Sequence, residues 1–353
     1  MAYMKNTLKV VRRILVLVLA IGVFMVLQKM DTSVRAADDE VIFTGAKTID
    51  LSGKTMSLED FGKETTLQNR LKNLAELDDV DKEQDCRAMT GMKNVLITGF
   101  DVVSGKATSL QKSAMLYNTW FLQQLMYCSS KVNSPALTTI VLPEGTFYFV
   151  SGHATMADDI VVHMGRDERH VIKLHDNIIL RGAGTEINRK KTVLKPYSEK
   201  SEFVSFDGGL DMFFYNELSA HDKAIYLKNI HFSDFVIDSA ETTGRNYNTA
   251  GKGFMINLFE NGTWQNITVR NTDATGFGVD CPIGDSWIAN SRAYGNGKMV
   301  KGDVAKGGGS GFGIGTGYSD SEHFEIRNSI AEGNGKYGFF YEHQDRFGPS
   351  KYK

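Results

Sequence analysis

The most restrictive feature of this sequence is an irregular internal repeat that begins near residue 225. Its clearest register starts with Gly-Phe, at residues 253, 276, 311 and 338. A single copy of such a short repeat cannot bury its own apolar face, so successive copies are expected to stack and share one core. Side chains alternate between the two faces of a strand. The residues predicted to point inward are Phe254, Phe277, Phe312 and Phe339, followed two positions later by Ile256, Val279, Ile314 and Tyr341.

A second register carries asparagine, at Asn229, Asn266, Asn290 and Asn328. The step from asparagine to Gly-Phe is ten residues in two copies, from 266 to 276 and from 328 to 338. Asparagine tolerates left-handed backbone and bonds to nearby main-chain groups, so we expect a structural role for this column at the corners. The two registers together predict an all-β fold, a right-handed parallel β-helix.

The chain ahead of the repeat begins with a pattern typical of export. Residues 1–36 combine basic residues with an uncharged apolar run, Ile14 to Leu27, and end at Val34-Arg35-Ala36. The run is short for a spanning helix, which needs roughly 17–25 apolar residues, and the last three residues suit a signal peptidase site. We therefore predict a signal peptide or an N-terminal anchor, and a secreted or extracytoplasmic cell-surface location.

Three further segments follow. Residues 37–105 predict an N-terminal segment with short helices, and residues 106–135 predict an amphipathic capping helix with apolar positions on one face. Thr108 and Gln111 are suited to form a capping box at its start. Residues 136–353 carry the strand period of the β-helix. The three cysteines allow at most one disulfide, for which Cys86 and Cys128 are the candidate pair.

An outward column follows from the same register. Asn257, Asp280, Gly315 and Glu342 each lie four residues after the glycine, and His343 follows Glu342. Neighbouring strands are about 4.7–4.9 Å apart, which predicts roughly 9–10 Å between the backbones of Asp280 and Glu342, two rungs apart. Inverting glycosidases hold their two carboxylates roughly 6.5–9.5 Å apart. Asp280 and Glu342 are therefore candidates for a general acid and base.

A second chemistry is open to the same column. Removing the C5 proton of a uronic acid needs a base, a stabiliser of the developing charge and a proton donor. Asp280, His343 and Tyr294 or an arginine are the candidates for these three roles. Arg270, Tyr294 and Glu332 share a further column, where Arg270 is expected to clamp a substrate carboxylate. The candidate catalytic residues are Asp280, Glu342, His343 and Tyr294, and the candidate substrate-binding residues are Arg270, Asn257 and Arg292.

Two groups of motifs resemble known families. "IVLPEGTFYF", "NIILRGAGTE" and "TVLKP", in this order after an amphipathic helix, resemble the entry to the pectate lyase-like superfamily of β-helices, in which the helix caps the coil stack. "GFGVDCPIGDSWIANSRAYGNG" resembles the active coil of the alginate (mannuronan) C5-epimerases, with Asp280 in the place of the catalytic aspartate. Cys281 and Pro282 stand where that family has Pro and His, so His343 is the histidine that this sequence offers instead.

These observations predict an exported enzyme that acts on an anionic, uronic-acid polymer by C5 proton abstraction, as a lyase or an epimerase. A glycoside hydrolase using Asp280 and Glu342 is one alternative, and a non-catalytic carbohydrate-binding or surface-assembly protein is another. No metal site has a recognisable ligand spacing, so no metal or cofactor is predicted, and a Ca²⁺ requirement stays a hypothesis. The net charge of -2 gives no reason to expect nucleic acid. Membrane contact is expected only through an uncleaved N-terminal segment.

Overall fold

The computed structural model describes residues 48–69, 86, 93–102, 107–150, 170–197, 211–216, 225–242, 251–298, 309–316 and 322–343. The predicted export segment, residues 1–36, lies outside this part of the chain. The described part is mostly β with few helices, and none of its helices is both long and apolar enough to cross a membrane. Helix α1 spans Leu58–Lys63 and helix α2 spans Ser109–Asn133.

The strands are short in the first half of the chain and include two long ones, β10 and β11, in the middle. Their bounds are β1 Thr48–Asp50, β2 Thr55–Ser57, β3 Leu96–Thr98, β4 Thr138–Val141, β5 Gly145–Phe149, β6 His170–Lys173, β7 Ile178–Arg181, β8 Thr192–Pro196, β9 Asp211–Tyr215, β10 Leu227–Asp238, β11 Phe254–Arg270, β12 Phe277–Ile283, β13 Ser286–Ala289, β14 Arg292–Tyr294, β15 Phe312–Thr316, β16 Phe324–Arg327, β17 Ile330–Glu332 and β18 Phe339–His343.

All strands but β2 and β3 belong to one 16-stranded sheet, and every strand pair between the described strands is parallel. Pairing follows three columns, which we call ladders. Ladder 1 joins β6, β9, the start of β11, β12, β15 and β18. Ladder 2 joins β1, β4, β7, the start of β10, the middle of β11, β13 and β16. Ladder 3 joins β5, β8, the ends of β10 and β11, β14 and β17.

The predicted phenylalanine column is confirmed on ladder 1. Phe254 pairs with Phe277, Phe277 with Phe312, and Phe312 with Phe339. Successive ring centroids lie 5.4, 4.7 and 4.9 Å apart with nearly parallel planes. The first three rings are fully buried, whereas Phe339 is 52% exposed because no described strand pairs with the far side of β18. The column also includes Phe213, whose ring stacks on Phe254. Phe213 does not follow a glycine, so the Gly-Phe repeat did not predict it.

The predicted asparagine column is wrong for one of its four residues. Asn266, Asn290 and Asn328 align at the corner between ladders 2 and 3, as the pairing on either side of them shows. Asn229 lies instead at the corner before ladder 2, where it aligns with Asn261. The four predicted asparagines have φ between 50 and 53°, so the structural role is confirmed. The misassignment arises because two different corners need the same left-handed residue, and asparagine supplies it at both.

Helix α2 packs on β3, β5 and β6, near the first rungs of the sheet. The predicted capping box is present, since the side chains of Thr108 and Gln111 each accept the other's backbone N–H. The amide of Asn118 bonds to the main chain of both Ile97 and Tyr148 and so fastens the helix to two strands. A disulfide joins Cys86 to Cys128, with the Cα atoms 5.5 Å apart, which confirms the predicted pair.

A partly buried histidine beside helix α2 predicts acid sensitivity. His175 lies with its Nε2 atom 3.1 Å from Nε2 of Gln123 and its ring 5.2 Å from the ring of Tyr127. Burial, with the charges of Lys173 and Lys131, lowers the pKa of His175 to about 3. The unfolded chain binds this proton near pH 6.5, so the folded state loses stability as the pH falls from about 6.5 towards about 3.

The variant His175→Gln is expected to lack this component. Between about pH 7.5 and about pH 5, the free energy of unfolding of the unmodified protein should fall by about 2 kcal/mol more than that of the variant. Urea unfolding of both proteins at the two pH values measures the difference. Burial raises the pKa of Asp211 to about 6, which acts in the opposite direction but is shared by both proteins and cancels. Identical pH dependence of the two proteins would contradict the assignment.

Candidate functional site

The predicted outward column is present on ladder 1. Asn257 pairs with Asp280, Asp280 with Gly315, and Gly315 with Glu342, while His343 pairs with Thr316. Alternation along the strands puts this column on the face opposite the phenylalanines. Asp280 and Glu342 are two rungs apart, roughly 9–10 Å between backbones, with only a glycine between them. Asp280 is 6% exposed and Asn257 3%, whereas Glu342 is partly exposed and His343 is exposed.

The backbone turns sharply directly after this column. Leu258 and Cys281 follow Asn257 and Asp280, and have φ of 59° and 55°. Residues other than glycine rarely adopt this left-handed region, and they keep it only where the surrounding structure fixes it. Proline, whose φ is held near -65°, does not fit this conformation. Cys281 can therefore adopt the corner conformation after Asp280, whereas a proline at this position could not.

A glycine floor lies beside Asp280. Gly278 pairs with Gly313, two residues before the Asp280 column. A Cβ atom added at position 278 would lie 3.1 Å from Cδ of Lys252, so the Lys252 side chain runs across Gly278. Its Nζ atom is 3.0 Å from Sδ of Met255. Gly278 and Asp280 share one strand and one face and are roughly 6–7 Å apart, so Lys252 covers the outward position that precedes the candidate base.

A buried carboxylate holds the backbone of Lys252. Oδ1 of Asp211 accepts the N–H groups of Gly251, at 2.9 Å, and of Lys252, at 2.7 Å. Burial raises the pKa of Asp211 to about 6, while the charge of Lys252 and the two backbone bonds act to lower it. Asp211 thus fixes the turn from which the Lys252 side chain starts. Sequence reasoning missed Lys252, and its only local signal is its place immediately before Gly253.

The predicted column of Arg270, Tyr294 and Glu332 is confirmed, but it lies on ladder 3. Asp238 precedes them in the same column. Nη1 of Arg270 donates to the Tyr294 hydroxyl at 2.7 Å, and the guanidinium forms ion pairs with Asp238, at 2.9 Å, and with Glu186. Two carboxylates therefore already balance the charge of Arg270. A substrate carboxylate would have to displace one of them to be clamped there.

Glu186 is a member of this cluster that sequence reasoning missed. The Tyr294 hydroxyl donates to its carboxylate, with both oxygens at 2.6 Å, across 108 positions of sequence. Burial raises the pKa of the Tyr294 hydroxyl, and the positive charge of Arg270 acts in the opposite direction. Glu186 comes from the connection between β7 and β8, so only the folded chain brings it to this column.

The predicted site residues therefore fall into two groups. Ladder 1 brings Asn257, Asp280 and Glu342 together on one face and carries His343 on the opposite face, whereas Arg270, Arg292 and Tyr294 lie on ladder 3. Arg292 pairs with Thr268 and Ile330 and is exposed. Among the described residues, no three His, Cys, Asp or Glu side chains are grouped to hold a metal ion.

Comparison with known proteins adds the following. No protein-family model and no curated protein matches the chain. Among solved structures, it is similar to the A-modules of two Azotobacter vinelandii mannuronan C-5 epimerases, AlgE4 and AlgE6. The AlgE4 module is 18% identical with a TM-score of 0.38, covering 67% of this chain and 57% of the module. The corresponding values for AlgE6 are 18%, 0.35, 63% and 54%, so the chain spans little more than half of either module.

Proposed function

We propose that the chain is an exported enzyme built as a right-handed parallel β-helix whose first coils are capped by helix α2. The three parallel ladders and the packing of α2 on β3, β5 and β6 support this architecture. Right-handed connections between parallel strands are the general rule. The proposed organisation is an export segment at 1–36, an N-terminal segment at 37–105, the capping helix at 106–135 and the β-helix from 136 to 353.

The proposed reaction is C5 proton abstraction on an anionic, uronic-acid polysaccharide. The observation that carries it is the buried Asp280 on an outward column, beside a glycine floor that Lys252 crosses. The carboxylate of Asp280 takes the C5 proton, and the electron pair of the C–H bond moves into the adjacent carboxylate group of the sugar. The ammonium of Lys252 stabilises the negative charge that develops there.

The sugar that has lost its C5 proton can react in two ways. In a lyase, the bond from C4 to its glycosidic oxygen breaks, a C4–C5 double bond forms, and the leaving oxygen takes up a proton. In an epimerase, a proton returns to C5 from the opposite face. Glu342 lies two rungs beyond Asp280 on the same face and is the proposed donor, whereas His343 alternates to the opposite face of the strand and is assigned no step. Asn257, one rung before Asp280, is proposed to bind the preceding sugar, and no reaction step is assigned to Arg270, Arg292 or Tyr294.

A glycoside hydrolase is the second candidate, and one observation favours it. Asp280 and Glu342 face the same way across Gly315, roughly 9–10 Å apart at the backbone. Side chains that lean towards each other bring the carboxylates into the range of roughly 6.5–9.5 Å used by inverting enzymes. In that reaction one carboxyl group protonates the leaving oxygen while the other activates a water molecule.

Incubation with a panel of uronic-acid polymers separates these reactions. We expect either a rise in ultraviolet absorbance, from the unsaturated product of a lyase, or altered uronate stereochemistry by proton NMR with the chain length unchanged. The carboxyl-reduced form of each polymer is the matched control and should not react, because its C5 proton is no longer acidic. New reducing ends without absorbance would favour the hydrolase. Binding without any product would favour a non-catalytic protein.

A further inference from the structure

One connection between ladders 2 and 3 is much longer than the others. In the following rungs two residues make this connection, at 234–235, 266–267, 290–291 and 328–329. In the preceding rung three residues, 142–144, make it. Between β7 and β8 the same connection takes ten residues, 182–191. We call residues 182–191 the corner insertion. Insertions at the corners of stacked repeats are common places for binding surfaces.

The inner side of the corner insertion is fastened to later rungs. Glu186 forms an ion pair with Arg270 and accepts a hydrogen bond from the Tyr294 hydroxyl. The backbone N–H of Gly184 donates to the carbonyl oxygen of Asp234 at 2.8 Å. Further hydrogen bonds join Thr185 with Asn188, Thr192 with Gly184, and Gly145 with Lys191. The insertion is thus held in one conformation against ladder 3.

The outer side of the corner insertion is basic and exposed. Arg189, Lys190 and Lys191 are consecutive and all exposed, and Ile187 is 69% exposed. Lys190 is 3.7 Å from Glu144, and both side chains are more than half exposed, so this pair contributes little. The whole chain carries a net charge of -2, so three adjacent cations form a local concentration of positive charge.

We infer that the corner insertion is a second, non-catalytic binding surface for an anionic polysaccharide, separate from the Asp280 column. This inference depends on the proposed function only for the identity of the polymer. The three cations attract carboxylates, and Ile187 offers an apolar contact to the face of a sugar ring. A surface already held in one conformation loses little entropy when it binds. A polymer bound here raises its effective concentration at the Asp280 column.

A polysaccharide suits this surface better than a lipid bilayer does. Basic residues near an anionic membrane attract it, but stable anchoring needs a second signal such as a buried apolar face. The corner insertion offers one exposed isoleucine, and Glu186 holds it against ladder 3. An extended polymer needs only a short row of cations with an apolar contact beside it.

The test compares two variants with equal changes of charge. One replaces Arg189, Lys190 and Lys191 with glutamine, and the control replaces Lys63, Lys112 and Lys131, which are also exposed. Binding of long polymannuronate and polygalacturonate, and of their short oligomers, is measured by calorimetry at low and high salt. The insertion variant is expected to bind the long polymers at least about tenfold more weakly at low salt. Turnover of short oligomers should not change, and the control should bind as the unmodified protein does.

Each other outcome has a defined meaning. Equal affinity of the unmodified protein and the insertion variant for long polymers overturns the inference. It is also overturned if insertion-dependent binding appears only with vesicles rich in phosphatidylserine. Insertion-dependent polymer binding without turnover of any polymer supports the inference while rejecting the proposed reaction. If no anionic polymer binds at all, both fail.

Discussion

Replacing Asp280 with asparagine is expected to lower the turnover of a uronic-acid polymer by about 10²–10⁴-fold, the usual contribution of a positioned general base. Asparagine has nearly the same shape but cannot accept the C5 proton. Because the side chain is buried at the end of a paired strand, a substitution of equal size should leave the fold intact. Initial rates on the polymer that reacts best, together with a thermal unfolding curve, measure the two effects separately.

Asp285→Asn is the matched control for this variant. This substitution removes the same charge from the same part of the chain, but the Asp285 side chain is exposed. Its rate is expected to stay within about twofold of the unmodified protein, as for surface changes away from a site. Full activity of the Asp280 variant would exclude this carboxylate as the base. Equal losses in both variants would point to the charge of the coil and not to a proton transfer.

Truncation of the central ring of the phenylalanine column should cost the most stability. Phe277→Ala removes a fully buried ring that stacks on Phe254 and Phe312. A loss of about 3–5 kcal/mol in the free energy of unfolding is expected, from lost burial and the cavity that remains. Urea unfolding followed by circular dichroism measures it.

Phe339→Ala provides the comparison at the end of the same column. This ring stacks on Phe312 on one side only and is 52% exposed. A loss of no more than about 1–2 kcal/mol is expected, because much of its surface already meets water. If the two variants lose equal stability, the rings do not form one shared core, and the common outward face of Asp280 and Glu342 loses its basis.

The strand register of the second half could be read from the sequence. Gly-Phe marks the same place in each repeat because the glycine and the inward ring are both set by local sequence, and identical side chains stack when parallel strands pair in register. The outward column of Asp280, Gly315 and Glu342 then follows from simple alternation. The capping box of α2 was predictable for the same reason, since Thr108 and Gln111 are three residues apart.

The assignment of asparagines to particular corners, and the contacts between residues far apart in the chain, could not be predicted from the sequence. Asn229 was assigned to the wrong corner because asparagine fills more than one left-handed corner of a coil, and only strand pairing separates them. Glu186 meets Tyr294 across 108 positions because the corner insertion folds back over two later rungs. Lys252 runs across Gly278, two residues before Asp280, because Gly278 has no side chain to exclude it.

By itself, the sequence determined that short parallel strands stack about a shared aromatic core, and that Asp280 and Glu342 belong to one outward column. Only the tertiary structure decided that Arg270 and Tyr294 lie on another ladder, closed off by Glu186 and Asp238. The physical reason is that alternation and corner preference act over a few residues, whereas charge pairing between ladders depends on where each turn of the chain ends in space.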